Sequence, residues 1–77
     1  MPPEFRNVRP GDAVAAFERA GGVVRRGRGS HINVKMPNGQ VLTFPQHREP
    51  LKIGLLKAML RKAEITEEQF DRLLRGD

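Results

Sequence analysis

The sequence predicts an α+β domain ordered helix, three strands, helix, with a short C-terminal helix after it. Three observations carry that prediction. Apolar residues alternate between residues 31 and 44, at Ile32, Val34 and Met36 and again at Leu42 and Phe44, the period of strands with one face buried and one wet. Apolar stripes at helical spacing flank this stretch, with Ala13, Ala16, Phe17 and Ala20 before it and Leu56, Met59, Leu60 and Ala63 after it. Thr66-Glu67-Glu68-Gln69 has the form of a capping box and opens a last helix that turns Phe70, Leu73 and Leu74 inward. The strands are expected to form a three-stranded antiparallel sheet with helices packed on one face.

Residues 1–8 contain Pro2 and Pro3 and little periodicity, so they are expected to form a flexible N-terminal arm, with residues 9–77 as a single domain. Pro10 suits the first position of a helix, and Asp12 in the first turn complements the positive end of its dipole. Gly21-Gly22 stops this helix. It is too short to be stable alone and must dock its stripe on the sheet. Val23 and Val24 open the first strand, which continues into Arg25-Arg26 and then the loop Gly27-Arg28-Gly29-Ser30. That loop fits neither of the glycine-rich nucleotide-binding spacings.

The turn between the second and third strands follows from parity, because a slip of one residue sends every side chain to the other face. A two-residue Asn38-Gly39 turn would pair Asn33 with Phe44 and put a polar residue beside an apolar one. A three-residue loop, with Pro37 setting the first position and Gly39 left-handed, pairs Val34 with Leu42 and Ile32 with Phe44. The second register is expected. It places His31, Asn33, Lys35, Val41 and Thr43 on one accessible face, with Arg25, Arg26 and Arg28 close by. Beyond Phe44-Pro45, residues 46–50 are a connection, and Lys52 stands just ahead of the next helix, whose outer face carries Lys57 and Arg61.

Fourteen Lys and Arg against nine Asp and Glu give a net charge of +5, and the excess is local. From Arg19 to Lys35 the charged residues are all basic, and Arg48, Lys52, Lys57, Arg61 and Lys62 face only Glu49 in the next basic stretch. Such a footprint favours a polyanionic partner, with a merely solubilising surface as the alternative. With no cysteine there is neither a disulfide framework nor a thiolate metal site, which suits a reducing cytoplasm. The opening residues lack the apolar run of a signal peptide, and no membrane association is expected.

Among residues able to do chemistry, His31 stands out because it begins a strand on the open face, follows Gly29-Ser30 and is surrounded by cations. A metal held by His31, His47 and Glu49 would lack a ligand-spacing motif, so neither a metal nor another cofactor is expected. Ser30 is adjacent to His31 in sequence and therefore points off the other side of the strand, which argues against a nucleophile and base pair.

Together, Gly21-Gly22 closing the first helix, Gly29-Ser30-His31 opening the second strand, Pro37-Asn38-Gly39 at the turn, Val41-Leu42-Thr43-Phe44-Pro45 and the helix from Gly54 to Ala63 resemble the HicA family of toxins over about residues 10 to 75. The resemblance implies a double-stranded-RNA-binding-domain-like fold, mRNA interferase activity as part of a type II toxin-antitoxin system, and neutralisation by a HicB-like antitoxin. It also implies that His31 is the essential histidine, preceded by the family's glycine and serine at Gly29 and Ser30. Three positions depart from the usual pattern. Ile32 replaces a second histidine, Gly22 replaces a phenylalanine, and Leu55 replaces a threonine.

The chemistry that this resemblance implies suits the residues. Metal-independent RNA cleavage needs a base to take the proton of a 2′-hydroxyl, and cations to stabilise the charge that grows on the phosphate oxygens. His31 is the candidate base. Arg25, Arg28, Gly29, Ser30, Lys35, Lys52, Lys57 and Arg61 are the candidate RNA contacts. A non-catalytic RNA-binding module of the same fold is the alternative.

Overall fold

The structure is a computed structural model that describes residue 5 and residues 7–26, 31–46 and 48–76. Helix α1 (Pro10–Arg19) leads into strands β1 (Val23–Arg26), β2 (His31–Lys35) and β3 (Val41–Pro45), followed by helices α2 (Ile53–Ala63) and α3 (Glu67–Arg75). The strands form one antiparallel sheet in the order β1-β2-β3. The α+β class and the three-stranded sheet with helices on one face are as the sequence predicts.

The register follows the parity argument. Val34 pairs with Leu42 and Ile32 with Phe44. Gly39 lies in the left-handed region at φ 90°, and the turn is closed by the Met36 amide donating to the Gln40 carbonyl at 2.8 Å and the Gly39 amide donating to the Met36 carbonyl at 2.9 Å. This is the bulged three-residue loop, which only a residue without a Cβ enters at low cost. Pro10 begins α1, Asp12 sits in its first turn, and the Thr66 capping box of α3 is formed in both directions.

All of the sheet's fully buried side chains belong to the helix-covered face: Val34, Leu42 and Phe44. They join Ala13, Ala16 and Phe17 of α1, Leu56, Met59 and Leu60 of α2, and Phe70 of α3 in one cluster. Ile32 packs against this cluster. Phe17 links the layers, with its ring 5.8 Å from that of Phe44 and 5.0 Å from that of Phe70.

Within residues 1–8, expected to form a flexible arm, two of the described residues lie in the core. Phe5 and Val8 are both buried, the Phe5 ring stands edge-on to Phe70 at 5.4 Å, and the Val8 carbonyl accepts a hydrogen bond from the Leu51 amide at 2.7 Å. A core this small gains appreciably from one more aromatic ring, at about 1.5–3 kcal/mol for a fully buried phenylalanine. Phe5 and Val8 are therefore core, while Asn7 between them is exposed.

Gly22 shows how closely α1 meets the sheet. A Cβ there would lie 2.6 Å from Val34 Cγ1, 2.8 Å from the Phe17 carbonyl oxygen and 3.0 Å from Met36 Sδ. Val34 and Met36 thus occupy the space a side chain at residue 22 would take. Gly22→Ala is expected to lower stability by about 1–3 kcal/mol, since one contact is to backbone and cannot rotate away. Urea denaturation of the variant checks this directly.

Candidate functional site

The face of the sheet turned away from the helices is built by alternation. On β2 it presents His31, Asn33 and Lys35, and the pairing sets each in a cross-strand row. His31 lies opposite Pro45. Arg25, Asn33 and Thr43 form the next row, and Val23, Lys35 and Val41 the last. Alternate side chains on a strand are about 6.8 Å apart, so each row lies one such step from the next.

His31, Arg25, Lys35 and Thr43 are exposed and Asn33 is half-buried. Thr43 Oγ1 donates to Asn33 Oδ1 at 2.9 Å, tying the middle row together. None of the three strands contains Asp or Glu, so the whole open face is free of strand-borne negative charge. Arg25, Asn33, Lys35, Gly39 and Val41 line a shallow depression of about 380 Å³ on it.

The helices are oriented by contacts at the β2–β3 turn. Asn38 Nδ2 donates to the Lys62 carbonyl at 2.8 Å, which anchors the end of α2 to the turn. Gly21, just after α1, approaches Pro37 of the same turn. Both helices therefore end at the β2–β3 turn. The hydrogen bond from Leu51 to Val8 ties their starts together.

Arg9 and Lys52 occupy the two N-cap positions, and neither makes a side-chain cap. The first turn of α2 carries no acidic residue. Its positive dipole end is thus reinforced by Lys52 rather than offset, a setting that favours an anion.

The sequence-predicted contacts consequently divide into groups. Arg25 and Lys35 share the open face with His31, and Lys52 stands at the N-terminus of α2. Lys57 and Arg61 lie elsewhere. With Leu60 and Ile65 they line a groove shared with Thr66, Glu67 and Glu68 at the start of α3, so the groove carries two acidic side chains as well as two basic ones. Arg28, Gly29 and Ser30 lie outside the described residues, as does His47 of the considered metal set. Among the described residues no three His, Asp or Glu side chains converge, and no helix is long and apolar enough to cross a membrane.

Sequence reasoning placed Asn33 and Thr43 on the open face but did not single them out. The signal was present in the register, because pairing Val34 with Leu42 makes Asn33 and Thr43 direct cross-strand neighbours.

Comparison with known families gives a match over residues 11–65, more than half of the chain, to the family described as the HicA toxin of bacterial toxin-antitoxin. A search against individual curated proteins gave no match. The matched segment runs from the start of α1 through all three strands and α2, the elements that build and support the open face. The chain belongs to the HicA toxin family.

Proposed function

We propose that the chain is a toxin that acts as an endoribonuclease, an mRNA interferase, cutting single-stranded RNA on the open face of the sheet with His31 as general base. The observation that carries this reading is the placement of an exposed imidazole on a face where Arg25 and Lys35 supply positive charge and no strand residue opposes it. An imidazole can carry a proton on either ring nitrogen, which suits it to take one from a hydroxyl.

In the proposed reaction an imidazole nitrogen of His31 takes the proton of a ribose 2′-hydroxyl. The 2′ oxygen attacks the adjacent phosphorus, the bond to the 5′ oxygen breaks, and that oxygen takes a proton from water, to which His31 afterwards returns the one it accepted. The products are a 2′,3′-cyclic phosphate and a 5′-hydroxyl. Charge on the non-bridging oxygens rises along the way, and cations placed before the reaction stabilise it without reorganising. Arg25 and Lys35, one and two rows along the face from His31, supply that positive charge from beside the cut phosphate; Arg28, Gly29 and Ser30, the other expected contacts, lie outside the described residues. Lys52 at the start of α2 holds a more distant backbone phosphate.

The protein would act in the cytoplasm, where messenger RNA is found, without a metal or other cofactor. An acidic, HicB-like antitoxin would neutralise it by covering the same face. Charge complementarity would speed that encounter.

Incubating the purified protein with a single-stranded RNA and a chelator tests the reading. Fragments ending in a 2′,3′-cyclic phosphate and beginning with a 5′-hydroxyl support it, and a 2′-deoxy substitution at the cut position should abolish the cut. Binding without cleavage on several RNAs would instead indicate the RNA-binding module.

The division of the cations gives a further expectation. Lys35→Ala should weaken RNA binding and reduce the slope of log affinity against log salt by about 0.7, one phosphate contact on a single strand. Lys57→Ala should do less, because that side chain lies off the open face in a groove it shares with Glu67 and Glu68. A salt titration of both variants with a labelled, uncleavable RNA measures the difference.

A further inference from the structure

The middle row of the open face holds a polar side chain with a fixed orientation and a role not yet accounted for. Thr43 spends its hydroxyl hydrogen on Asn33 Oδ1 at 2.9 Å. That bond fixes the rotation of the carboxamide and leaves the Nδ2 donors with no acceptor among the described residues. Asn33 is half-buried as a residue, and its unpartnered donors are open to solvent and so to a ligand.

Its neighbours compound the imbalance. Arg25, paired with Asn33 on β1, and Lys35, two residues along β2, carry donors and no acceptor. All three line one depression of about 380 Å³. A ligand complementary to it must bring several acceptor oxygens and negative charge, which a phosphodiester does.

Two further features favour nucleic acid over an acidic protein segment. The near edge of the depression, at Arg25 and Asn33, lies one side-chain row from His31, about 6.8 Å, a distance on the scale of a single nucleotide step. Val23 and Val41, 58% and 44% exposed, flank Lys35 in the outer row and give apolar surface on which an attached base can lie.

We propose that the depression in front of Arg25, Asn33 and Lys35 is a phosphodiester subsite for the nucleotide adjoining the one cut at His31, with Thr43 holding the Asn33 carboxamide so that its N–H donors face the phosphate. This rests on the RNA-cleaving reading above. Asn33 is a positioning residue for the substrate, and Thr43 acts through it.

The test measures kcat and KM on a single-stranded RNA with one cut position, for the wild type, Asn33→Asp and Thr43→Val, with thermal unfolding as a control. Asn33→Asp replaces a donor with a negative charge at nearly constant shape. It is expected to raise KM about tenfold or more while kcat changes little, the scale of losing a hydrogen bond to a charged group. Thr43→Val keeps the shape of an exposed strand residue and should raise KM by a smaller factor, since the amide is then free to turn. If Asn33→Asp does not fold, Thr43→Val decides.

Wild-type protein that neither binds nor cuts RNA would overturn the cleavage reading itself. Wild-type cleavage with unchanged KM in the folded variants would overturn the subsite alone. Unchanged RNA kinetics together with weakened binding of an acidic protein partner would assign these donors to that partner and also overturn the proposal.

Discussion

Val34→Asp is expected to leave no folded domain at room temperature. Val34 is fully buried in the central strand, paired between Val24 and Leu42, with the backbone of Gly22 pressed against it. No polar or charged residue is buried among the described residues, so a carboxylate there would find no partner. Burying an unpaired charge costs several kcal/mol even after relaxation. A domain of this length has about 4–12 kcal/mol in total, at 0.05–0.15 per residue.

Val34→Ala removes the same contacts without the charge and should cost only about 1.5–3 kcal/mol, leaving a cooperative transition at lower denaturant. Circular dichroism and urea unfolding of the pair separate the two effects. A near wild-type transition for Val34→Asp would mean that Val34 does not face inward.

The sheet was legible because alternation and turn length constrain each other. Once Ile32, Val34, Leu42 and Phe44 must share a face, only an odd loop serves, and Gly39 at the left-handed position completes it. The same parity placed His31 and Lys35 on the open face.

Phe5 and Val8 were not legible. They are isolated apolar residues in a segment without periodicity, and the contacts that bury them come from Phe70 and Leu51, far along the chain. Lys57 and Arg61 lie outside the core stripe of α2, as helical spacing predicts. A helical stripe does not say what its outer face adjoins, and here that is the acidic start of α3 rather than the sheet. Gly22 falls between these cases: it was read as a helix stop, but its close approach to Val34 and Met36 depends on how α1 docks.

His31→Ala is expected to lower RNA cleavage by about 10² or more, the usual contribution of a positioned general base. Its side chain is exposed at the start of β2, outside the hydrophobic cluster, so the substitution removes no core packing. The thermal midpoint should stay close to that of the wild type. RNA affinity should also hold, because Arg25, Lys35 and Lys52 carry the phosphate contacts in this account and remain in place. That combination distinguishes a base from a binding group, whose loss would weaken affinity and reduce the salt dependence.

The most direct measurement is single-turnover cleavage of a single-stranded RNA at saturating protein, with a chelator present, for wild type and His31→Ala side by side. Saturation removes differences in binding, and an unfolding curve for each protein removes differences in folding. The account predicts wild-type cleavage and a rate for the folded variant lower by about 10² or more. A folded His31→Ala protein that cuts at the wild-type rate would contradict it.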